Sequence, residues 1–214
     1  MGDKPGIALS LHWLGAAAFG QGDYAVTRAL HEECLALYRE LGDKGGIGFS
    51  LNWLGMVASN QNNYTAARAF HEESLALFRE LGDKRNIAMS LSCLGVVASN
   101  QGDYMAAGML HKESLALFQE LGDKKGIAEC LPGLAEVAQA DGLPQRGTKL
   151  LGAVEALLER LGARLDPTER AEFDHTLAAA HAQLDEAAFN AAWDEGLAMT
   201  MEEAIALALE ETHE

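Results

Sequence analysis

His31-Glu32-Glu33, His71-Glu72-Glu73 and His111-Lys112-Glu113 recur at a fixed spacing of 40 residues. An imidazole beside carboxylates is chemistry-bearing: it can ligate a divalent metal or move a proton. The helical zinc motif, however, needs a second His four residues after the first. Those positions are Leu35, Leu75 and Leu115. If each His sits in its own helix pair, equivalent rings lie roughly 10 Å or more apart by helix-packing distances. Zinc takes its nitrogen ligands at about 2 Å, so three such rings cannot share one ion. The expected role is structural: a packed, partly polar His in a stack of helices, with Glu32, Glu33, Glu72 and Glu73 on a solvated outer face. The competing reading, a metal- or ligand-dependent enzyme using these His/Glu rows, stays open at this point.

The remaining chemical candidates are weaker. "GLPQRGTK" at Gly142–Lys149 approaches a phosphate-binding loop but ends Gly-Thr-Lys where Gly-Lys-Thr/Ser is required. "GGIG" at Gly45–Gly48 lacks the dinucleotide spacing. No Ser/His/Asp or Cys/His constellation stands out. Cys34, Cys93 and Cys130 are odd in number, far apart and without a CxxC. They are read as buried thiols rather than a disulfide or zinc framework. Asn63-Tyr64-Thr65 matches a glycosylation sequon and, with no signal segment opening the sequence, is expected to be a chance match. No catalytic residue, metal ligand or cofactor site is assigned.

The elements that carry these residues follow from the repeat. "LGD" or "LGA" returns at Leu41, Leu81, Leu121 and Leu161. Leu-Gly returns at Leu14, Leu54 and Leu94, and becomes Leu134-Ala135 in a fourth copy. "QGDY", "QNNY" and "QGDY" begin at Gln21, Gln61 and Gln101. Each unit reads as two helices. In the second unit, Ile47, Leu51, Leu54 and Val57 keep helical spacing over roughly 47–60. After a turn, Asn63 is placed to cap a second helix carrying Ala66, Ala67, Phe70, Leu75, Leu77, Phe78 and Leu81. Gly82 supplies a left-handed helix end and Asp83 caps the next helix. A two-helix unit cannot bury its own apolar face, so neighbours must stack.

Leu14-Gly15, Gly22-Asp23-Tyr24 and the small pairs Ala66-Ala67 and Ala106-Ala107 resemble the tetratricopeptide repeat. The usual unit is about 34 residues, and here longer helices extend it. The resemblance implies an all-α right-handed superhelix of antiparallel helix pairs. Four pairs, the last degenerate, are expected over 1–162. In this family the first helices line a concave face that takes peptides. The matching positions are His12, Ala16 and Phe19; Asn52, Met56 and Ser59; and Ser92, Val96 and Ser99, with Asn60 and Asn100 at the lip. None is Lys or Arg, so capture of a terminal carboxylate by basic side chains is not supported. The alternative is that this face merely packs on the rest of a larger protein.

Beyond Gly162 the repeat is lost. Asp166-Pro167-Thr168-Glu169 starts a helix expected to reach about Leu184. Asp185 caps another, with Phe189, Ala192 and Trp193, and Thr200 with Glu203 forms a capping box for a last one. The segment 163–214 is thus read as capping helices. Its "LLGA", "ERAEF" and Trp-x-Glu-Gly elements resemble the C-terminal end of large bacterial regulators. Those join an NTPase module and a tetratricopeptide array to helix-turn-helix or cyclase domains. The resemblance implies a protein-interaction or sensing scaffold in signalling or transcription regulation. A stand-alone adaptor that binds a peptide in its groove is the alternative.

Charge narrows the partners. The chain has 16 basic and 32 acidic residues, a formal charge of −16. That field repels phosphate backbones and anionic lipid, so the expected partner is a protein or peptide, not nucleic acid or membrane. No apolar run approaches the ~20 residues that span a bilayer, and a cytoplasmic protein is expected. "MGDK" at the start copies the joint between units, which suggests an array cut from a longer one. Its first helix would then expose Ile7, Leu11, Trp13 and Leu14 and drive homodimerisation through residues 1–21.

Overall fold

The computed structural model describes residues 3–210. Met1 and Gly2, which open the MGDK joint, and residues 211–214 of the expected C-terminal cap lie outside the described residues. Among the described residues, every regular element is an α-helix: α1 (Lys4–Gly20), α2 (Tyr24–Leu41), α3 (Lys44–Asn60), α4 (Tyr64–Leu81), α5 (Lys84–Asn100), α6 (Tyr104–Leu121), α7 (Lys124–Ala140), α8 (Pro144–Leu161), α9 (Pro167–Gln183), α10 (Glu186–Ala198) and α11 (Met201–Leu209). The chain divides after Gln101 into two compact units.

Each boundary has a local cause. Asp43 and Asp83 accept a hydrogen bond from the N–H of Gly46 and Asn86, satisfying donors that the helix start leaves unpaired. The first helix of the second repeat therefore begins at Lys44, three residues before the start that apolar spacing suggests. Asn63 caps α4 through the Ala66 N–H. Gly82 ends α4 with φ +68°, a conformation that crowds any Cβ. Where the turn motif reads "QNNY", Asn62 takes the left-handed place that Gly22 and Gly102 hold elsewhere, with φ 58°. Its side chain accepts a hydrogen bond from Tyr64 Oη at 2.7 Å.

In the first unit, α1 to α5 pack in chain order, each on the next. Leu35, Leu51 and Leu54 form one buried cluster, flanked by Ile47, Phe70 and Leu77. Ala58, Ala67 and Val97 form a second, beside Tyr64 and Phe70. Small residues set the approach. The Tyr38 ring covers Gly46 so closely that a Cβ there would lie 2.2 Å from it, and Phe78 covers Gly48 at 2.8 Å. "GGIG" is thus a packing surface for two aromatic rings. Ties recur from pair to pair: Arg28 donates to Gln61 at 3.2 Å and Arg68 to Gln101 at 2.8 Å.

In the second unit, α7 packs on α6 and α8 on α7. α10 then lies along α8, with α9 and α11 against α7 and α8. Gly152 and Gly196 make the α8–α10 crossing possible. A Cβ on Gly152 would sit 2.6 Å from the Trp193 carbonyl oxygen, and one on Gly196 only 2.2 Å from that of Lys149. The "LLGA" and Trp-x-Glu-Gly elements are the two halves of this contact, and Lys149 pairs with Glu195 across it. Asp166 with Glu169, and Thr200 with Glu203, form reciprocal capping boxes at the starts of α9 and α11. "GLPQRGTK" is the turn into α8 and its first residues, where a Cβ on Gly147 would lie 2.7 Å from the Ala135 carbonyl oxygen.

Candidate functional site

The three repeated histidines lie inside the helix stack. His31, His71 and His111 are each at most 1% exposed. Each ring lies on a glycine: a Cβ would come within 2.6 Å of His31 at Gly15, 2.5 Å of His71 at Gly55 and 2.4 Å of His111 at Gly133. His31 also stacks on Trp53, ring centroids 5.1 Å apart and nearly parallel. Burial pushes all three down to about 4, so they are neutral at physiological pH. Among the described residues, no three His, Cys, Asp or Glu side chains are grouped to hold a metal ion. Glu32, Glu33, Glu72 and Glu73 are exposed. The rings are buried while the carboxylates that follow them are exposed, so the two residue types of these rows lie in different surroundings.

His71 belongs to a buried polar network. Its Nδ1 lies 3.0 Å from Asn52 Oδ1, and Asn52 Nδ2 donates to Ser90 Oγ at 3.0 Å. Ser74 Oγ donates to the Gly48 carbonyl at 2.8 Å. Burying polar groups is tolerable when each finds a partner. The nitrogens of His31 and His111 find none.

The eleven positions proposed for the first-helix face divide. Phe19, Asn52 and Ser99 are buried, so they do not present a side chain to a partner. Asn52 is turned inward by His71, and Phe19 is enclosed edge-on by Tyr24 and Trp53. His12, Ala16, Met56, Ser59, Ser92 and Val96 are half-buried, and Asn60 and Asn100 exposed. Asn60 serves the fold: its Oδ1 accepts from Tyr24 Oη at 3.0 Å.

The structure adds residues that the family positions omit. His12 contacts Trp13, Phe49 and Trp53, with ring centroids 5.3, 6.4 and 5.9 Å away. Trp13 is 64% exposed and Phe49 40%. This aromatic cluster on α1 and α3 has a buried side against His31 and Phe19 and an open side at Trp13 and Phe49. "HWLG" and "NWLG", one repeat apart, were the available signal. A patch of this kind excludes water over flat rings and offers a polar edge at His12, features that favour protein recognition.

Comparison with known proteins agrees with the helix pairing. Residues 6–85 match the model of the tetratricopeptide repeat family. Nothing among curated proteins matches the sequence. The fold is similar to the crystal structure of nearly identical TPR-like repeats from a proposed kinesin light chain of Podosopora anserina, with a TM-score of 0.58. That match has 18% identity and covers 93% of each chain. No helix of the described residues is long and apolar enough to cross a membrane. Residues 6–85 therefore match tetratricopeptide repeats, a kind of scaffold for protein–protein interaction, and the helix pairs beyond them share the fold of the similar structure.

Proposed function

We propose that the first-helix face of α1 and α3 binds a peptide segment of another protein, with the aromatic cluster as its anchor. The observation that carries this is Trp13, 64% exposed on a wall of rings that the fold already holds in place. Preordered aromatic side chains lose little entropy on binding and often dominate interface energy. His12, Ala16, Met56, Ser59, Ser92 and Val96 supply the half-buried floor beside it. The test is selection of displayed peptides on the parent chain, then affinity on Trp13→Ala with Phe49→Ala. Loss of binding by about tenfold or more at unchanged melting temperature supports the site. Equal affinity refutes it.

A second reading concerns the same helix. Ile7 is 46% exposed and Leu14 59%, with Leu11 half-buried. A symmetric dimer through α1 would cover both copies of this surface. The acidic charge opposes it, so association should strengthen with salt. Sedimentation across concentration and salt decides: a monomer throughout removes this reading.

We place this scaffold in the cytoplasm, as part of a bacterial signalling or transcription regulator. Four repeat pairs would occupy 1–162 and a helical cap 163–214. The support is the pair of glycine contacts between α8 and α10, which gives "LLGA" and Trp-x-Glu-Gly a joint structural role. The genomic neighbourhood tests the context: an NTPase module in the same frame favours the regulator, and an isolated short frame favours the adaptor.

A further inference from the structure

The repeat serves as its own control, and one helix departs from it on one face. At five positions of α6 the third copy differs from both earlier ones, Gln119 replacing Arg39 and Arg79 among them, and the other four share one face. Ala25 and Thr65 become Met105; Arg28 and Arg68 become Gly108; Ala29 and Ala69 become Met109; Glu32 and Glu72 become Lys112. The partner of the arginine changes too, since Gln61 and Gln101 are followed one repeat on by Asp141. In the first unit that Arg–Gln tie spans consecutive helix pairs. In the second unit both of its halves are replaced, and a cleft of about 1150 Å³ lies there, between α6, the α7–α8 turn and α8.

Packing does not demand this change. A Cβ on Gly108 would stand 3.4 Å from the Val137 methyl, close to ordinary contact, so a small side chain fits. What the glycine removes is the long arm that crosses the same place in the first unit. The exposed methionines are the opposite of economy: Met105 is 81% exposed and Met109 70%, where the earlier copies carry small side chains. The far wall is built. Arg146 donates to the carbonyls of Leu207 and Glu210 at 2.6 and 2.7 Å, fixing the end of α11 beside the cleft. Lys112 has no ion-pair partner among the described residues, in a chain of charge −16.

We propose that this cleft is a second docking site, separate from the α1–α3 face, for an acidic peptide with a bulky apolar anchor. The anchor seats against Met105 and Met109, whose unbranched thioether chains adapt to varied shapes. A carboxylate of the peptide pairs with Lys112, at the one of the four positions where the charge sign is reversed. A second copy of this acidic chain is a poorer occupant on electrostatic grounds, and the test below includes it.

The test uses the full chain carrying 13C-methyl methionine, and short displayed peptides in which acidic and apolar positions are randomised. The control library has Asn and Gln in place of Asp and Glu. The expected result is enrichment of acidic-apolar peptides that move the Met105 and Met109 methyl signals. Gly108→Arg, which restores the residue tolerated at 28 and 68, should weaken binding by about tenfold or more with the fold intact. Lys112→Glu should do the same and lies on a partly exposed position, so it is a second route if Gly108→Arg misfolds. The proposal is overturned if the control library enriches equally, if only the Met56 and Met89 signals move, or if both variants bind as the parent does. It is also overturned if Met105 and Met109 shift with protein concentration alone, which would assign the cleft to a second copy. Failure at Trp13 with success here, or the reverse, separates this site from the α1–α3 face.

Discussion

Acid should unfold this protein through its buried histidines, and His111 isolates the effect. Its ring is 1% exposed, both nitrogens lack a partner, and burial holds it down to about 4 from 6.5. The neutral form is favoured in the fold, so this site's contribution is complete above pH 6.5 and is lost as pH falls toward 4. At pH 5 the unfolded chain binds the proton and the folded one largely does not. The difference amounts to about 2 kcal/mol, approaching about 3 kcal/mol below pH 4. Glu169 works the other way. Burial and the nearby Glu129 push its carboxyl up to about 7, so its protonation favours the fold as pH drops. Comparing parent with His111→Leu cancels that common contribution. At pH 7.5 the variant should be at least as stable, because it removes two unsatisfied buried nitrogens. Between pH 7.5 and 5 its advantage should widen by about 2 kcal/mol. Urea unfolding followed by circular dichroism at pH 7.5, 6 and 5 measures this. A gap that does not change with pH would refute the reasoning, and would mean that His111 takes its proton inside the folded chain.

Three further outcomes test the packing. Gly55→Ala places a methyl 2.5 Å from the His71 ring, which must then leave Asn52. Stability should fall by about 1–3 kcal/mol, and much of the loss should disappear in a His71→Ala background; additivity of the two changes would be contrary. Gly82→Val forces a β-branched residue into φ +68° and should cost more than about 1 kcal/mol, read as a lower melting temperature. Gly196→Ala meets the Lys149 carbonyl oxygen at 2.2 Å, a backbone atom that cannot step aside. α10 should lift from α8, giving faster proteolysis within 186–198 and a shifted Trp193 emission, while a spectrum like the parent's would count against the crossing.

The helices were legible because each carries its own punctuation. Asp43, Asp83 and Asn63 cap, Gly82 ends, and Asp166-Pro167 with Glu169 starts a helix whatever surrounds it. The histidines were legible as scaffold through their spacing, because the zinc motif lacked its second ligand. The face was harder. Asn52 and Ser92 hold equivalent positions, yet Asn52 is buried and Ser92 half-buried, because the longer Asn52 amide reaches inward to His71 Nδ1 at 3.0 Å. Local periodicity cannot foresee such a choice, which depends on two helices meeting. The same limit hid Trp53, whose ring is recruited by His31 from the previous pair. The α6 cleft left a trace in the sequence, but only as departures from a repeat whose meaning required knowing that Arg28 and Arg68 reach across to the next turn.

The most direct test of the interaction surface is hydrogen–deuterium exchange of the chain with a peptide selected on it. The account predicts added protection over α1 and α3, at 4–20 and 44–60, which is abolished by Trp13→Ala with Phe49→Ala. Protection confined to α2 and α4, or none from any selected peptide, would contradict it.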